Sequence, residues 1–107
     1  MFNITKNPAT EFGYTELTTF WQDFCIADSF GEKAIRDTYK RGLAYAKTNY
    51  KYLTELVMVL NHKIWQHYEN NNIAISRVYD ELWKTCDTLA QETLKDDELS
   101  YFYATLD

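Results

Sequence analysis

His62, His67, Glu55, Glu69, Cys25 and Cys86 are the side chains best suited to metal ligation or nucleophilic work, and their spacing argues against both. The two histidines stand five residues apart, so on a helix about 140° separates them and one ion would not reach both without distortion. Glu55, His62 and Glu69 share a helical face, but steps of seven residues set successive members about 10 Å apart along the axis, too far for common ligation. No HExxH or Glu-x-x-His pattern is present. A Ser or Cys nucleophile would need a base and an oxyanion hole, and Gly13, Gly31 and Gly42 are isolated, so no Gly-rich turn or phosphate cradle exists to help. The adjacent acids Asp80-Glu81 and Asp96-Asp97 fall on helix surfaces or termini, where such pairs are solvated rather than catalytic. His67 lies beside an apolar stripe in the last turn of its predicted helix, where its ring packs and gains from the negative helix end. The expectation is a noncatalytic protein with no metal or cofactor site.

The elements that would position these groups are helices. Leu53, Leu56, Val57, Leu60, Ile64 and Tyr68 recur at three- and four-residue steps with no Gly or Pro among them, which is one face of a long helix. Met58, Val59 and Trp65 fall outside that stripe, so this helix should touch neighbours on several sides and sit near the middle of the fold. Leu17, Phe20, Trp21 and Phe24 mark an earlier helix with Thr15 as its cap. Ser29-Phe30-Gly31-Glu32 has capping-box spacing and predicts a second helix from Phe30, with Phe30, Ala34, Ile35, Tyr39, Leu43 and Ala46 inward. Glu32/Arg36 and Asp37/Arg41 would then pair on its surface. Asn49 is a cap for the third helix, and Asn70-Asn71-Asn72 ends it, because asparagine tolerates the left-handed conformation. Ile75, Val78, Tyr79, Leu82, Cys86 and Leu89 carry the fourth helix, while Asp96-Asp97-Glu98 open a short fifth with Leu99, Phe102, Tyr103 and Leu106. The three tryptophans, Trp21, Trp65 and Trp83, lie on or beside apolar stripes and read as core.

The predicted fold is all-α: a compact bundle of four main helices, near 15–28, 30–48, 50–69 and 73–94, plus a short C-terminal helix. One domain covers 1–107, with 1–13 as an N-terminal arm around Asn7-Pro8. Hydrophobic residues make up 46% of the chain and aromatic ones 17%, enough to build a core despite a net charge of -5. The longest apolar run, Leu56 to Leu60, is far below the roughly 18 residues a membrane span needs. With no signal-peptide pattern, the expected location is the cytoplasm, where Cys25 and Cys86 stay unpaired.

Charge is unevenly placed. Residues 33–51 hold six basic side chains and one acid, a local balance of +5, leaving -10 for the rest. Arg36, Tyr39, Lys40, Arg41, Tyr45, Lys47 and Lys51 form the candidate interaction surface, a mixture suited to a Tyr- and Arg-rich protein interface or to gripping phosphates and stacking bases. The acidic stretch 80–107, with eight acids against two lysines, could instead neutralise that segment within the fold. An overall pI near 4.9 disfavours nonspecific nucleic-acid binding. The leading expectation is therefore a small protein-interaction or accessory and regulatory protein that binds a protein partner or itself. The alternative is a nucleic-acid-associated protein using segment 33–51.

The run Tyr52-Leu53-Thr54-Glu55-Leu56-Val57-Met58-Val59-Leu60-Asn61-His62-Lys63-Ile64-Trp65, with the ending Glu98-Leu99-Ser100-Tyr101-Phe102, resembles small uncharacterised all-helical bacterial proteins of the kind carried on mobile elements. The resemblance implies a bacterial source. It carries over no activity, ligand or site, because the matching residues are packing patterns.

Overall fold

Three-residue linkers join the five helices among the described residues, and that brevity makes sequential helices neighbours in space. The computed structural model describes the backbone of residues 17–106 and the side chains of 20–105; the N-terminal arm and the Thr15 cap lie outside them. The helices are α1 (Leu17–Asp28), α2 (Glu32–Ala46), α3 (Tyr50–Glu69), α4 (Ile73–Thr93) and α5 (Asp97–Leu106), with no strand among the described residues. The all-α bundle expected from periodicity is the observed architecture.

α3 is the axis of the bundle, packing against each of the other four helices and most extensively against α4. Leu53, Leu56, Val57, Met58, Val59 and Leu60 are all buried, as are Thr54 and Glu55 between them, so the helix is enclosed on every side from Leu53 to Leu60. Past Leu60 the enclosure narrows to the face bearing Lys63 and His67. Tyr68 and Trp65 consequently stand 57% and 52% exposed, rings edge-to-face at 5.8 Å, which corrects the core assignment of both. Trp21 is buried and Trp83 half-buried, as their stripes required.

The helix ends follow from local chemistry. Asn49 Oδ1 accepts from the Lys51 amide at 2.9 Å, starting α3. At the other end Asn71 turns left-handed at φ 62° while the Asn72 and Asn71 amides donate back to the carbonyls of His67 and Tyr68, a Schellman closure. Asp97 and Glu98 occupy the first turn of α5, where acids favour the positive helix end.

The α1–α2 corner departs from expectation. α2 begins at Glu32 rather than Phe30, and no side chain caps it. The Ser29, Phe30 and Gly31 amides instead donate to the carbonyls of Ile26 and Ala27, continuing the last turn of α1. Gly31, at φ 102°, then swings the chain into α2, a conformation open to glycine and closed to serine. Phe30 is thereby left 77% exposed instead of facing the core, whereas Ile35, Tyr39 and Ala46 are buried as predicted. Farther along α2, Gly42 faces α1 and α3: a Cβ there would lie 3.6 Å from side-chain atoms of Phe20 and Leu56.

Candidate functional site

Lys63 is the most unexpected side chain in the molecule, a lysine with 0% exposure in the middle of the bundle. Helical geometry puts it there, since it stands three residues after Leu60 and four before His67 on the covered face of α3. Its ammonium donates to Asp28 Oδ2 at 2.7 Å and to Cys25 Sγ at 3.3 Å, and sits 4.4 Å from the centre of the Trp21 ring. Asp28 in turn accepts from the Tyr79 hydroxyl through Oδ1, and His67 Nε2 lies 3.1 Å from Oδ2. The Asn72 amide sits 3.3 Å from His67 Nδ1; with Asn72 donating, the ring keeps its proton on Nε2, facing Asp28. His67 also stacks on Tyr79 at 5.4 Å with the planes 13° apart.

This cluster joins the C-terminal turn of α1 to α3 and α4. Burial pushes the Asp28 carboxyl up, but the His67 ring N–H and the Lys63 charge outweigh it and hold the group below the usual carboxylate range. The Tyr79 phenol is driven upward by burial and then by the Asp28 charge. A general base works best with a pKa near ambient pH and a lone pair facing its target. Asp28 is held low, and the Lys63 ammonium and the Tyr79 hydroxyl already donate to its two oxygens. The arrangement is suited to fixing three helices in register, with the ammonium charge neutralised on the spot. Sequence reading missed it. The available signal was Lys63 itself, a cation at a core position of the Leu60–Ile64–His67 face.

Part of the basic segment gathers on α2, where Lys33, Arg36 and Lys40 line one shallow hollow together with Glu32 and Asp37. Arg36 is held by Glu32 at 2.8 Å and reaches across to Glu81 on α4 at 2.6 Å, so at this point the acidic C-terminal stretch does neutralise the basic one. Those two carboxylates raise the Arg36 guanidinium further. Tyr39 is buried beside Cys86, where burial pushes its hydroxyl up. Lys40 is exposed on α2, and Lys47 is exposed just past its C-terminal end. Arg41 faces the α1 side, where it donates to Thr38 Oγ1 at 3.1 Å. The expected Asp37/Arg41 pair is not made, because Asp37 takes Lys33 at 3.1 Å instead. Tyr45 stacks on Tyr52 at 4.9 Å, and Lys51 lies over the Tyr101 ring at 5.7 Å.

Both cysteines are free, Cys86 buried with its thiol pushed up to about 12 by burial and by nearby Asp87. Among the described residues no three His, Cys, Asp or Glu side chains converge as metal ligands. No helix among them is long and apolar enough to cross a membrane. An open groove of about 610 Å³ at one end of the bundle is lined by Lys47, Asn49, Tyr50, Leu53, Leu94 and Glu98, with no cysteine, serine or histidine in its walls. No protein-family model, no curated protein and no solved structure matches this chain. The bacterial resemblance thus rests on residues 52–65 and 98–102 alone.

Proposed function

We propose that this chain is a noncatalytic helical protein of the bacterial cytoplasm that acts as an accessory or regulatory subunit by binding another protein. The observation that carries the reading is a set of large apolar side chains left in solvent around a well-filled core: Ile26, Phe30, Trp65 and Tyr68 are 52–77% exposed. Isolated exposed hydrophobics are ordinary on a protein surface. These are grouped, Phe30 with Ile26 at one corner and Trp65 against Tyr68 on α3, and aromatic side chains are the types that anchor protein interfaces. The buried Asp28–Lys63 cluster supports the noncatalytic part, since the Lys63 ammonium and the Tyr79 hydroxyl are both turned onto Asp28.

The nucleic-acid alternative is less well supported, because Arg36 is already neutralised, Tyr39 is buried, and Glu32 and Asp37 share the hollow lined by Lys33, Arg36 and Lys40. The direct test is in-cell photocrosslinking, with a photoreactive phenylalanine at position 30 or 65 and a control at exposed Lys84. Discrete protein adducts from 30 or 65, with none from 84, are expected. No adduct of defined mass from either aromatic position would remove the reading.

A further inference from the structure

We infer that the α1–α2 corner is the contact face of a symmetric pair of these chains. The inference deepens the protein-binding reading and rests on it, naming a second copy as the partner. Phe30 and Ile26, 77% and 62% exposed, stand over a shallow pocket of about 240 Å³ whose walls include Ala27, Ala34 and Thr38. An aromatic knob and an apolar recess therefore share one patch. The corner that presents the knob is fixed: the Ser29, Phe30 and Gly31 amides are bonded to the turn before them at 2.9–3.1 Å. Backbone ordering on association is thus largely avoided, which favours binding by a small surface.

Charge selects the partner. Asp23 on α1 and Arg41 on α2 line this same pocket from opposite helices, and the other acid in its wall, Asp37, is already paired with Lys33. Among the described residues neither Asp23 nor Arg41 belongs to an ion pair, and Arg41 donates to the neutral Thr38 hydroxyl. A two-fold axis through the pocket brings each patch onto its own copy, so whatever residue i meets on the partner, the partner's i meets in return. A patch with an apolar centre, an unpaired acid on one side and an unpaired base on the other complements itself under that rotation. Each Asp23 then faces the Arg41 of the other copy, and each Phe30 enters the other recess. A partner carrying one sign of charge would satisfy only half of this pattern.

The patch is small for an interface, which places the pair among weak, reversible assemblies. Sedimentation velocity of the full chain over a concentration series should show a monomer–dimer equilibrium. Phe30→Asp, Asp23→Arg and Arg41→Asp should each weaken it by about tenfold or more, and the double swap Asp23→Arg/Arg41→Asp should recover most of the loss. Because all three positions are exposed, the helical circular-dichroism signal should be unchanged in every variant. A chain that stays monomeric at all concentrations, a dimer indifferent to Phe30→Asp, or a double swap no better than the single changes would overturn the assignment. Photocrosslinks from position 30 to a different protein, without any dimer, would also overturn it while leaving the protein-binding reading standing.

Discussion

Asp28 and Lys63 form the kind of buried ion pair in which removing one partner costs far more than removing both. Lys63→Met should destabilise the protein by about 3–5 kcal/mol, because the Asp28 carboxylate loses its compensating charge in a poorly hydrated site. Asp28→Asn/Lys63→Met should recover part of that loss in chemical denaturation, and a double variant as damaged as the sum of the singles would mean the two act independently. The pH dependence follows from the Asp28 carboxyl, held below its usual 3.8 in the folded state. A group whose folded pKa is depressed contributes stability that is fully present above the unfolded pKa and is lost as pH falls through the folded one. The thermal midpoint should therefore drop on the acid side below about pH 4, and Asp28→Asn should flatten that limb, provided the variant remains folded. None of this was visible in the spacing of Asp28, Lys63, His67 and Tyr79, which lie on three helices. Periodicity places each residue on a face of its own helix, and it says nothing about which faces meet.

The helices themselves were written in local pattern, and the places where the reading slipped show what local pattern omits. Asn49, Asn71 and the acids of α5 act through backbone groups within a few residues, so sequence alone exposes them. The Ser29–Glu32 box had equally good spacing and failed because the preceding helix claimed the amides of the corner first. Trp65 and Tyr68 slipped for another reason: a helix stripe shows where a core would lie, and neighbours cover only part of the length of α3. The two described glycines should respond to alanine in opposite directions. Gly31 sits at φ 102° and ψ -168° with nothing within 4 Å of the place a Cβ would take, so Gly31→Ala should cost about 1–3 kcal/mol through backbone strain alone. Gly42 is helical and has ordinary contact distance on every side of a new Cβ, so Gly42→Ala should stabilise by about 0.5–1 kcal/mol. Thermal melts of the two variants check both signs at once.

At the scale of the whole molecule, one helix organises the fold and one charge reversal bears on its partners. Leu60 is fully buried in the Leu53–Leu60 stretch of α3 that is enclosed on every side, so Leu60→Ala should cost about 2–5 kcal/mol by lost burial plus a cavity, and a near-unchanged melting curve would displace α3 from the centre. The charge reversal is the harder question. Segment 33–51 carries +5 against -10 elsewhere, and a phosphate-binding surface would have to gather those cations on one side. The fold sets Lys33, Arg36 and Lys40 on one side of α2 but intersperses them with Glu32 and Asp37, with Lys33 paired to Asp37 and Arg36 spent on Glu32 and Glu81. Binding to mixed DNA or RNA oligonucleotides should accordingly be undetectable even at low salt. Were the segment a nucleic-acid surface, affinity would fall steeply with salt as counterions are released. Replacing Arg36, Lys40 and Arg41 together with Gln would then weaken binding and flatten the salt slope. The same triple variant should keep its helical circular-dichroism signal, apart from the loss of one exposed bridge from α2 to α4, so weakened binding would not reflect unfolding. A salt-dependent complex abolished by the triple substitution would put phosphate recognition ahead of protein binding. A protein-binding chain predicts instead that the substitution leaves the photocrosslinks from positions 30 and 65 in place.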